Sequence, residues 1–110
     1  MKCFYNIEIQ MKGTYEVTDA VLETASHLLG FSKGDIEDKE VHYLTVTFNT
    51  DIVPSTMRDY VRSLLTAIPE IYFIDTIYRF DYEMTPDRFV IWWDGRTQEY
   101  TGKIHFTEDN

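Results

Sequence analysis

Apolar and polar positions alternate over long stretches of this chain, and the longest covers residues 71–84, IYFIDTIYRFDYEM. In an extended chain, Tyr72, Ile74, Thr76, Tyr78, Phe80, Tyr82 and Met84 fall on one face. Phe73, Asp75, Ile77, Arg79, Asp81 and Glu83 fall on the other. A period of two, carried by aromatic and β-branched residues, predicts a long central strand with one face on a core. Residues 2–11 repeat the pattern, with Cys3, Tyr5, Ile7, Ile9 and Met11 on the core side. Cys3 then reads as an inert buried thiol, since it lies on the core face while Lys2 falls on the other side of the strand.

Lys12-Gly13 breaks this first strand. Thr18 reads as the cap of a first helix, with Asp19 in its first turn and Val17 stapled against Leu22. Val21, Leu22, Ala25, Leu28 and Leu29 form its apolar stripe, His27 suits its last turn, and Gly30 stops it. Residues 31–40 read as a polar connection. Its acids, Asp35, Glu37, Asp38 and Glu40, lack the ligand alternation of a calcium loop. Residues 41–49 predict a second strand, with His42, Leu44, Val46 and Phe48 sharing a face. Pro54 opens a second helix, whose Met57, Tyr60, Val61, Leu64, Leu65 and Ile68 recur at helical spacing. Pro69 ends it just before the central strand, so this strand–helix–strand passage predicts a right-handed βαβ unit with parallel strands.

A four-residue turn at 85–88 would set Met84 opposite Phe89, Tyr82 opposite Ile91, Phe80 opposite Trp93 and Arg79 opposite Asp94. A last strand would continue the core face with Tyr100, Gly102, Ile104 and Phe106. Trp93 falls in the core in this arrangement, and Trp92 on the outer face. The expected fold is α+β: a two-layer sandwich formed by residues 1–110 as one domain. Its element order is β-α-β-α-β-β-β, with two helices on one face of a mixed five-stranded sheet in ferredoxin-like layering.

Charge narrows the function. Nineteen acidic and ten basic residues among 110 give a net charge of −9. Such a field repels phosphate and argues against direct contact with nucleic acid or an anionic membrane. A single cysteine permits no internal disulfide. No apolar run reaches the length of a membrane span and no secretory segment is visible, so a cytoplasmic location is expected.

No catalytic, cofactor-binding or metal-binding residue is assigned. The three histidines are scattered, with His105 expected to point away from the core. No nucleophile elbow, phosphate loop or zinc spacing occurs. Asp81 and Glu83 resemble an acid–base pair but fit an exposed charge ladder better. The distinctive feature is the second sheet face, which would carry Phe4, Tyr43, Phe73, Ile77, Val90 and Trp92. Six apolar residues on one face point to a non-enzymatic module that binds a partner there, either a second copy in a homodimer or another protein. Against this stand cover by Arg79, Lys103 and the C-terminal tail, or helices on both faces. An alternative is an acidic decoy that mimics nucleic acid on a basic partner, using Asp35, Glu37, Asp38, Glu40, Asp81, Glu83, Asp87 and Asp94. A third is a small enzyme whose site forms only in the fold.

Overall fold

The computed structural model describes residues 2–93 and 97–104. The alternating and periodic segments become β1 (Cys3–Met11), α1 (Tyr15–Leu29), β2 (Ile36–Glu40), β3 (Tyr43–Thr50), α2 (Pro54–Ala67), β4 (Ile71–Phe80), β5 (Asp87–Trp93) and β6 (Thr97–Lys103). They form an α+β sandwich of two helices on one face of an open six-stranded sheet, ordered β2-β3-β1-β4-β5-β6. Every neighbouring pair is antiparallel. None of the described helices is long and apolar enough to cross a membrane.

The sheet therefore has six strands rather than five, and it is not mixed. β3 and β4 do run parallel to each other, as the short connections around α2 imply, but β1 lies between them and pairs antiparallel with both. The added strand, β2, occupies the expected polar loop. Its sequence IEDKE shows no apolar alternation because it is an outermost strand, exposed over four of its five residues. Charge on such an edge discourages further pairing. At the other side, β5 and β6 extend the sheet past β4, so the order departs from a ferredoxin-like one.

The core lies between the sheet and the helices. Cys3, Tyr5, Ile7, Ile9 and Met11 of β1 are buried there with Leu44, Val46 and Phe48 of β3 and Ile74 and Thr76 of β4. α1 contributes Val21, Ala25 and Leu29, and α2 contributes Met57, Val61, Leu64 and Leu65. Each fully buried aliphatic or aromatic side chain is worth about 1.5–3 kcal/mol. Cys3 is a buried free thiol as expected, and burial raises its pKa.

Local details depart from the pattern where tertiary contacts outweigh it. α1 starts four residues earlier than its expected cap, at Thr14. Thr18 is instead fully buried, and its hydroxyl donates to the Val41 carbonyl, tying α1 to the β2–β3 turn. His42 lies in that turn, exposed, rather than on the core face of β3. Gly30 does end the helix, in the left-handed conformation at φ 83°, which glycine adopts without strain. A register shift between Gln10 and Met11 brings Ile71 rather than Tyr72 to the core.

The β4–β5 hairpin keeps the expected inward face but not the expected register. Thr76 pairs with Phe89 and Ile74 with Ile91, joined by a six-residue connection over 81–86. β1 ends opposite Phe80, so Tyr82 and Met84 run past the sheet and are exposed. The observed register places Phe89 and Ile91 over the filled core instead. Burial pushes the Tyr78 phenol up to about 12, helped by the Asp87 carboxylate that accepts its hydrogen bond at 3.2 Å. The expected partner of Arg79, Asp94, lies outside the described residues. β6 also presents the opposite face to the one expected: Val90 pairs with Tyr100, while Glu99 and Thr101 turn toward α2. Arg62 holds Glu99 at 2.7 Å and Arg58 holds Thr101 at 2.8 Å. Gly102 shares Tyr100's face, and the positions assigned to His105 and Phe106 lie outside the described residues.

Trp93 is consequently not core. It sits at the end of β5, 53% exposed, beside Leu65 and Pro69. Trp93→Ala should cost about 1 kcal/mol or less, whereas Phe89→Ala should cost about 3–5 kcal/mol. Urea melts of the two variants check this ordering, and the reverse ordering would refute the observed register.

Candidate interaction face

The strand register assembles a second face on the side away from both helices. Reading across β3, β1, β4, β5 and β6, one row is Tyr43, Gln10, Phe73, Trp92 and Gln98. The next is Thr45, Glu8, Asp75, Val90 and Tyr100, followed by Thr47, Asn6, Ile77, Arg88 and Gly102. Asn49, Phe4 and Arg79 close it at one end. All six residues expected on this face are therefore there, brought together from four strands.

They are not bare. Val90 is buried at 7% exposure, and Phe4, Tyr43, Phe73, Ile77 and Trp92 are half-buried. Their neighbours provide the cover. Arg79 lies 5.4 Å over the Phe4 ring, and Lys12 lies 5.7 Å over that of Tyr72. The Tyr43 hydroxyl donates to Glu8 at 3.0 Å, Gln10 donates to Glu8 at 3.1 Å, and Tyr72 donates to Gln10 at 3.2 Å. Alternation on one strand reveals which residues share a face. It does not reveal this lateral network, which spans three strands.

At the centre, Arg88 donates to Asp75 at 2.8 Å through a single nitrogen. Asp75 Oδ1, Arg88 Nε and Thr45 Oγ1 are buried without a hydrogen-bond partner among the described residues. Each unmet buried group costs about 1–3 kcal/mol. Burial raises the Asp75 pKa above its ordinary value; Arg88 pulls it back, and the Glu8 charge on the adjoining strand pushes it up again.

The acidic residues do not gather into one stripe. Asp38 and Glu40 border this face on β2, opposite Thr45 and Tyr43. Asp35 accepts hydrogen bonds from Ser32 in the turn before β2. Asp81 and Glu83 lie at the other end of the sheet, where Lys103 approaches Glu83 at 3.7 Å and Asp87 at 3.8 Å. His27 and His42 are exposed. His42 shares a shallow pocket with Glu40, Lys39, Tyr15 and Tyr43, but among the described residues no hydrogen bond or ion pair joins His42 to Glu40. No group of three or more histidine, cysteine or acidic side chains among the described residues is placed to hold a metal ion.

A scan against protein-family models finds no match, and searches of curated proteins and of solved structures return no significant match.

The Asp75 environment has a measurable consequence. Its raised pKa means that the folded chain holds this proton more tightly than the unfolded one. The resulting stabilisation is full below the ordinary value of 3.8 and is lost as the pH rises through the folded-state value. Asp75→Asn should remove this fall and flatten that part of the stability profile. Denaturant melts through the acidic range check it; an unchanged slope would show that Asp75 does not contribute.

Proposed function

We propose that this protein is a non-enzymatic interaction module of the reducing cytoplasm that binds a second protein surface, its own copy or another chain, through the open sheet face. The observation that carries the reading is the row Tyr43, Gln10, Phe73 and Trp92, which runs in register across four strands on the side that neither helix covers. Aromatic residues and arginine are enriched at contact surfaces, and here Tyr43, Phe73, Trp92 and Phe4 flank a central Asp75–Arg88 pair. Six strands about 4.8 Å apart and about seven residues long present roughly 650–700 Å², close to the roughly 800 Å² per partner of a standard interface. The single cysteine, buried and without an internal partner for a disulfide, suits a reducing compartment.

The separation of Asp38 and Glu40 on the β2 edge from Asp81 and Glu83 at the other end of the sheet supports this reading over an acidic decoy, which needs a continuous negative stripe. The exposed, unjoined His42 and Glu40 likewise give little support to an enzyme.

Trp92→Ala should leave the fold intact, at a cost of about 1 kcal/mol or less, and weaken association by about 2 kcal/mol or more. Thermal melts and sedimentation of wild type and variant separate the two effects. An association that is indifferent to Trp92 would remove the sheet face from the reading.

A further inference from the structure

We propose that one end of the open face is a binding site for a small organic acid, a single carboxylate carried on an apolar chain or ring. Here the connection between β4 and β5 borders a shallow, open cleft of about 450 Å³ at the end of the sheet. Phe4, Ile77, Met84 and Pro86 form its apolar wall, and Arg79 and Asn6 supply its polar groups. A mostly apolar recess of this size with a few placed polar groups is the ordinary form of a small-molecule site.

Arg79 gives the site its sign. Of the ten cations in a chain of net charge −9, five pair with a carboxylate among the described residues: Lys2 has Asp51, Lys39 has Asp19, Arg62 has Asp59 and Glu99, Arg88 has Asp75, and Lys103 has Glu83 and Asp87. Arg79 is exposed and, among the described residues, makes its contact with the Phe4 ring rather than with any acid. Among the described residues it is also the single charged one lining the cleft. One guanidinium matches one carboxylate, whereas a phosphate would call for further donors. The Asn6 amide donates one hydrogen to Thr47 at 2.9 Å, leaving its second hydrogen for the ligand.

The rim is held in place but uncovered. The Glu83 N–H donates to the Phe80 carbonyl at 3.0 Å, and the Ile104 N–H donates to the Pro86 carbonyl at 3.2 Å. Between these ties Met84 is 93% exposed. A methionine so placed has the flexibility to fold over an apolar ligand and gains burial by doing so.

The site shares Phe4 and Ile77 with the protein-contact reading but does not depend on it. Titration of 15N-labelled protein with octanoate and with 1-octanol, followed by NMR, tests it. Octanoate should shift the amides of Phe4, Asn6, Ile77, Arg79 and Met84 in a saturable way and bind more tightly than octanol. Arg79→Gln should weaken octanoate about tenfold or more, with octanol unaffected. Arg79→Lys should keep part of the preference. Wild-type affinity should also fall as the acid itself is protonated. Trp92→Ala, which tests the protein-contact reading, should leave octanoate binding unchanged. Equal affinity for acid and alcohol, shifts centred elsewhere, or no saturable shift at millimolar octanoate would each overturn the site.

Discussion

The two-sided pairing of β1 is the constraint on which the rest of the structure depends. Its backbone bonds to β3 along one edge and to β4 along the other, over nearly its whole length. Its five inward side chains, Cys3 to Met11, are all buried. Each helix crosses one neighbouring strand, α1 over β3 and α2 over β1. α1 carries the chain from β1 to β2, and α2 carries it from β3 to β4, on the opposite side of β1. A crossover that passes over a filled neighbour returns the chain in the same direction two places away. This is how a segment that reads as a parallel βαβ unit yields a wholly antiparallel sheet.

Because both crossovers lie on one side, the sheet has two unlike faces. The helix side buries its apolar residues against the stripes of α1 and α2. The other side has no helix above it and buries its aromatic residues only as far as their neighbours allow. A guanidinium over Phe4, an ammonium over Tyr72 and the Tyr43–Glu8–Gln10–Tyr72 chain all lie within this single layer. Lateral cover of this kind shields apolar surface in part and leaves the face able to take a partner. It also charges a penalty at the centre, where Asp75 and Arg88 meet through one nitrogen with polar atoms left unmet.

Polar contacts settle the last strand. The helix-facing side of β6 is occupied by Glu99 and Thr101, under Arg62 and Arg58 of α2. An apolar residue at either position would leave a guanidinium over an apolar surface. Tyr100 turns instead to the second face, where its ring extends the row of Asp75 and Val90. The same hairpin sets the cleft. Six residues between β4 and β5, rather than four, lift Met84 and Pro86 out of the core and bring them beside Arg79.

The amino-acid pattern by itself determined both helices and every strand except β2 and, for most strands, which side chains share a face. Period-two alternation in β1, β3, β4 and β5 and the helical stripe of α2 are properties of a single segment, and burial of one face enforces them wherever the segment packs. The six residues of the second face were legible for that reason. Register was not, because sliding β5 along β4 by any even number of residues keeps the same side inward. The choice fell to where β1 ends, a fact about a third strand. β2 was beyond the pattern too, and β6 was legible as a strand but not in its face, since an outermost strand buries little on either side and carries no strong alternation. Trp93 belongs to the right face yet lies beyond the core's edge. The pairing of Arg79 with the cleft, and of Asp75 with Arg88, joins residues whose neighbourhood only the assembled sheet creates.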